Sequence, residues 1–167
     1  YGFFPAPDGR VFLLAEELKG AFEQACGLTL GDPLRALPGK DLEHLTAEHP
    51  FYGDRAVPLV LADYVVLDSG TGCVHTAPGH GVEDFETGIR YGLEILNPVD
   101  DRGVFLPGTP LVGGMSLDDG AARVLKTLAD SGRLLGRQKI LHSYPHCWRC
   151  KKPVIFRSTA QWFVSVQ

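Results

Sequence analysis

The stretch Gly70-Thr71-Gly72-Cys73-Val74-His75-Thr76-Ala77-Pro78-Gly79-His80-Gly81-Val82-Glu83-Asp84-Phe85 concentrates the groups on which the reading of this chain turns. Its spacing predicts a strand ending near Thr76, a Pro78-Gly79-His80-Gly81 loop, and a helix beginning at about Val82. Glycines in such a loop let the backbone approach a ligand with no side chain between. The first turn of a helix leaves N–H groups unpaired, which suits a carbonyl oxygen or an anion. Asp84 falls in that turn, where the helix dipole favours its charged form, so it could hold a substrate ammonium group. The plainer reading makes Asp84 a helix cap and His75 an ordinary half-buried strand residue. No Gly-x-Gly-x-x-Gly follows a strand, and neither a P-loop nor a nucleophile elbow is present.

Around this stretch the pattern is of short elements. Residues 1–14 read as a hairpin turning at Pro7-Asp8-Gly9-Arg10, and 14–26 as an amphipathic helix ending before Gly27. Residues 31–57 read as loops and short strands. The most strand-like run is 58–62 with 64–67, then a turn over 68–72 and a strand over 73–76. Helices are predicted over 82–91 and 117–132, with a turn at Asp100-Asp101-Arg102-Gly103 between them. Many short strands and a few helices imply an α+β domain with a twisted, barrel-like sheet.

Composition bounds the function. The 167 residues are 44 % hydrophobic and 22 % charged, ordinary for a globular chain. No apolar run approaches the roughly 20 residues needed to cross a bilayer, and no signal peptide is visible, so no membrane partner is expected. Four cysteines are too few for a disulfide scaffold, and a reducing, cytoplasmic setting is expected. A net charge of −4 argues against a free-standing nucleic-acid binder, though not against a domain receiving one end of a nucleic acid held elsewhere. Both ends read as interior chain, which makes the sequence look like a piece of a longer protein.

With Arg90-Tyr91-Gly92-Leu93, Asn97-Pro98-Val99-Asp100-Asp101, Tyr144-Pro145-His146-Cys147-Trp148-Arg149-Cys150-Lys151 and Phe156-Arg157-Ser158-Thr159-Ala160-Gln161-Trp162-Phe163, the opening stretch resembles the editing (connective polypeptide) domain of isoleucyl-tRNA synthetases, which are class I enzymes. The sister valyl and leucyl enzymes typically carry Pro-Ala-His-Asp where this chain has Pro78-Gly79-His80-Gly81. The resemblance implies a barrel-like editing domain over 1–138, lacking its N-terminal part. It also implies a zinc-ribbon-like piece over 139–167 that returns toward the catalytic domain. The implied activity is hydrolysis of valine wrongly attached to the tRNA for isoleucine, at the 3′ end, with Val-adenylate as a further substrate. One missing methylene discriminates by only about 1–3 kcal/mol, so a second, hydrolytic sieve is needed. By the same resemblance Asp84 holds the α-ammonium, and His75 binds substrate and excludes isoleucine. Val74, Thr76, Gly79, His80 and Gly81 line the pocket, and ATP and Mg2+ belong to the parent enzyme's synthetic site. The family's threonine-rich pocket wall lies upstream of residues like Tyr1, so the isolated chain is expected to deacylate little or not at all. The alternative is a non-catalytic zinc-ribbon and tRNA-docking insertion of a related valyl- or leucyl-type synthetase.

Cys147-Trp148-Arg149-Cys150 places two thiolates within reach of one tetrahedral zinc. It is read first as half of such a site, with His142 and His146 as awkward local candidates for the rest. Reduced structural cysteines come next, and redox chemistry last, because Lys151-Lys152-Pro153 opposes a following helix. Arg149, Lys151 and Lys152 form a compact basic patch, read as a solvated turn ahead of a phosphate contact. Trp148 and Trp162 are read as packing anchors ahead of base-stacking platforms.

Overall fold

The computed structural model describes residues 1–137, 139, 141 and 143–166. Chain contacts gather into two units, Tyr1–His75 with Leu125–Ile140, and Thr76–Val124 with Leu141–Gln167.

In the first unit the apolar start of the chain closes as predicted into an antiparallel hairpin. β1 (Gly2–Pro5) pairs with β2 (Val11–Leu14), with Phe3 opposite Leu13 and Phe4 opposite Phe12. The other edge of β1 is satisfied by a returning loop: Phe3 N–H donates to Arg35 O, Leu34 N–H to Phe3 O and Gly31 N–H to Pro5 O. The helix predicted over 14–26 begins later. Leu14 belongs to β2, Ala15 is extended and donates its N–H to Thr71 O, and Glu16–Leu18 form a tight 3-10 turn before α1 (Lys19–Cys26). Phe4, Ala6, Leu14, Phe22 and Leu30 make the core, with Phe12 5.4 Å from Phe22 between ring centres. Each large side chain so buried contributes about 1.5–3 kcal/mol.

A second small hairpin, β3 (Thr46–Glu48) with β4 (Ala56–Pro58), follows a 3-10 turn at Gly39–Leu42. Here the expectation fails. Residues 59–76 form turns and loop, with Val65 N–H closing onto Ala62 O, rather than the strands predicted over 58–62, 64–67 and 73–76. Among the described residues there are two two-stranded sheets and no closed barrel. Strand propensity is realised only where a partner strand and an apolar cover exist. Val66 and Leu67 instead stand about half exposed.

In the second unit α2 (Val82–Tyr91) matches its predicted span, and Gly92 takes the left-handed φ of 63° that ends it. Asp100 organises the predicted turn, its carboxylate accepting the N–H groups of Arg102 and Val104. α3 (Leu117–Asp130), of which Leu117–Val124 belong to this unit, starts at a reciprocal cap in which Ser116 Oγ donates to Asp119 and accepts the Asp119 N–H. The Phe105 ring packs directly on Gly120, where any β-carbon would collide with it. No helix among the described residues is long and apolar enough to cross a membrane.

Candidate functional site

The approach to His75 is anchored at its start. Gly72, buried at φ 77°, offers its carbonyl to the Tyr1 hydroxyl at 2.7 Å, and a β-carbon there would press on Ala15 and Tyr1. Val74 and His75, which follow, are exposed. In the same unit the tip between β3 and β4 carries His49. Its Nδ1 accepts the Phe51 N–H at 3.1 Å, and its ring stacks on Tyr52 with centres 4.5 Å apart and planes 18° from parallel. The tip's carbonyl at Pro50 accepts from the Arg133 guanidinium. Burial first, then the charges of Arg55 and His75, push the His49 imidazole below its ordinary value. His49 thus feels His75, a link that no sequence motif announced, because a single histidine in a loop-rich stretch carries no periodic signal.

The rest of the predicted site lies in the second unit. Gly81 is the extended N-cap of α2, with no side chain capping it, and Asp84 sits one turn in. The half-buried Asp84 folds back so that Oδ2 accepts the Ala77 N–H at 3.1 Å. That carboxylate also lies over Gly81, where an added β-carbon would stand 3.0 Å from Oδ2. Asp84 therefore ties both ends of the Pro78-Gly79-His80-Gly81 loop and fixes a negative charge beside a helix N-terminus. Gly79 is buried with its Cα against the Leu96 carbonyl, so no other residue fits there without moving backbone. Its own carbonyl accepts the Ser158 N–H at 2.8 Å. Pro78 packs on Gly88 of α2.

His80 points elsewhere than a pocket around Asp84 would require. Its Nδ1 bonds the Phe156 carbonyl at 2.9 Å, so that nitrogen carries the proton. The ring lines a cleft of about 330 Å³ with Leu117, Tyr144, Ile155 and Phe156. Asn97 donates to Ser158 O and braces the same segment. These contacts of Leu96, Asn97, Phe156 and Ser158 with the loop join residues some 17 to 79 positions apart, and nothing local in the sequence marks them.

Cys147 and Cys150 are free thiols on a tight hairpin in which Cys147 N–H donates to Lys152 O and His146 pairs with Pro153. The backbone N–H groups of Cys150 and Arg149, and the Cys150 thiol, lower the Cys147 thiol from its ordinary value. Two sulfurs so placed, one of them more readily ionised than an ordinary thiol, fit half of a tetrahedral zinc site. Nδ1 of His146 is engaged by the Tyr144 carbonyl at 2.8 Å, and His142 lies outside the described residues. Among the described residues no group of three or more His, Cys, Asp and Glu is gathered to hold a metal. The tryptophans are not packing anchors: Trp148 is 75 % exposed and Trp162 fully exposed.

A family model described as the editing domain of leucyl-tRNA synthetase matches residues 39–104. The chain is 54 % identical over 160 residues, 96 % of its length, to an isoleucine–tRNA ligase of Nitratidesulfovibrio vulgaris strain Miyazaki F. It is 52 % identical over 93 % of its length to that of Carboxydothermus hydrogenoformans, and 47 % identical over its whole length to that of Symbiobacterium thermophilum. The chain spans 16–18 % of the length of these relatives.

Proposed function

The chain belongs to the editing domain of the isoleucyl-tRNA synthetases, and on that premise we propose that it hydrolyses the ester of valine misattached to the tRNA for isoleucine. The observation that carries this reading is Asp84, a half-buried carboxylate held by the Ala77 N–H in the first turn of α2. In the proposed reaction Asp84 holds the α-ammonium of the misattached amino acid, and the N-terminal end of α2 faces the ester carbonyl. Water adds to the carbonyl carbon, and the bond to the ribose oxygen breaks. That oxygen takes a proton, releasing free valine and tRNA. His75, exposed at the end of its anchored segment, positions substrate and bars the larger side chain. Isoleucyl-tRNA synthetases are the standard illustration of why such a second sieve is needed, since a methylene alone discriminates by about 1–3 kcal/mol. Cys147 and Cys150 would hold two corners of a structural zinc, the remaining ligands coming from elsewhere in the longer polypeptide; bound there, the ion would stiffen the hairpin.

A second reading is favoured by the same bond: Asp84 as a loop brace in a docking insertion. Asp84→Asn separates the two, because an amide oxygen can still accept from Ala77 while the charge is gone. Deacylation of Val-tRNA and Ile-tRNA is measured with the full-length synthetase carrying this segment. Asp84→Asn is expected to lower Val-tRNA hydrolysis about a hundredfold or more, with the melting temperature kept. Unchanged hydrolysis in that variant would leave Asp84 a brace and sink the editing role given to it.

A further inference from the structure

Charge is distributed unevenly along this chain. All 20 acidic residues lie at or before Asp130, with nine basic ones, while residues 131–167 hold seven basic residues and no acidic one. Three of those seven, Arg149, Lys151 and Lys152, sit on the hairpin of residues 144–154. That hairpin is pinned by four bonds, Cys147 N–H to Lys152 O, Lys151 N–H to Cys147 O, Val154 N–H to Pro145 O and Tyr144 hydroxyl to Val154 O. None of the ion pairs among the described residues involves these three cations. Lys151 stands at φ 59°, a left-handed conformation in which glycine would be unstrained, so a cation occupies the turn at some conformational cost. Beside them Trp148 is 75 % exposed, with the Arg149 guanidinium 4.9 Å from its ring centre. One indole face is thus covered by a cation and the rest is open to solvent.

An exposed indole backed by a guanidinium, flanked by cations outside any ion pair on a hydrogen-bonded turn, combines the two parts of a single-strand contact: a stacking platform and phosphate neutralisation. An acidic peptide would use the cations but not the flat face, and a duplex would hide its bases from the indole. We propose that the hairpin of residues 144–154 is a docking surface for single-stranded RNA, with Trp148 stacking on an unpaired base and Arg149, Lys151 and Lys152 on adjacent phosphates. Identifying that strand with the tRNA bearing the misattached amino acid rests on the editing reading above; the hairpin's RNA chemistry does not.

The chain has two tryptophans, so Trp162→Phe leaves Trp148 as the sole reporter. An RNA stem-loop with a four-nucleotide single-stranded 3′ end is titrated at low salt, with the blunt stem-loop and poly-glutamate in parallel. The overhang RNA is expected to quench Trp148, and affinity should fall linearly with salt on logarithmic axes. The Arg149→Gln, Lys151→Gln, Lys152→Gln variant should lower that slope by about two, at roughly 0.7 per phosphate contact. With dye-labelled RNA, Trp148→Ala should weaken binding about tenfold and Trp148→Phe recover most of it. No quenching by the overhang RNA, an unchanged slope, or equal quenching by the blunt stem-loop overturns the proposal. Equal quenching by poly-glutamate overturns it in favour of a protein partner. Hairpin-dependent RNA binding without Val-tRNA hydrolysis by the full-length synthetase would defeat the editing reading and leave the hairpin standing; hydrolysis without hairpin binding would do the reverse.

Discussion

Asp84 was legible from its position alone, because a carboxylate in a first helical turn is placed by spacing. Its bond to the Ala77 N–H was not, since it depends on how the loop folds back over Gly81. Two further groups carry consequences of their own. The Cys147 thiol is lowered by the N–H groups of Cys150 and Arg149, whereas burial raises that of Cys73. Iodoacetamide at pH 8, followed by mass spectrometry, is therefore expected to label Cys147 several-fold faster than Cys73, because thiolate is the reactive form. Added zinc should slow labelling at both Cys147 and Cys150. Faster labelling of Cys73 would contradict this account. His49 is held below its ordinary value of 6.5, so the folded state binds its proton less readily than the unfolded state. Its contribution to stability is then intact above about pH 6.5 and eroded as pH falls below it. Burial is the largest cause, and Arg55 and His75 act in the same direction. Melting curves at pH 7.5 and 5.5 should show a smaller acid-induced drop in His49→Gln than in the unaltered chain; equal drops would remove His49 as the cause.

Among the elements, those specified by local signals came out where the pattern put them. The β1–β2 hairpin and α2 needed only alternation, a turn and a glycine stop. The run from 59 to 76 did not, because an apolar, β-branched segment becomes a strand only when another strand accepts its hydrogen bonds, and that information is not local. The capping pair of Ser116 and Asp119 was readable in principle from its spacing, yet the adjacent Asp118 and Gly120 obscure which residue starts α3. The hairpin's weight in the fold rests on Leu14, which is fully buried among Phe4, Phe22 and Leu30. Leu14→Ala should cost about 2–5 kcal/mol, the usual range for a buried leucine that leaves a cavity. Urea denaturation followed by circular dichroism measures it, and a loss under 1 kcal/mol would mean that the hairpin core is not what holds the first unit.

For the whole molecule, family membership was readable because it rests on motifs quoted directly from the chain, while the barrel-like sheet expected of that family was not found among the described residues. The difference is one of locality: a short motif is legible residue by residue, whereas closing a barrel requires every strand to find its neighbours. The net charge of −4 likewise conceals its parts. With every carboxylate before residue 131, acidification to the carboxylate range discharges only that portion, and the last 37 residues keep all seven permanent cations. The carboxylate charge of this chain is thus confined to residues 1–130, while salt screens the cations of the portion that carries Trp148.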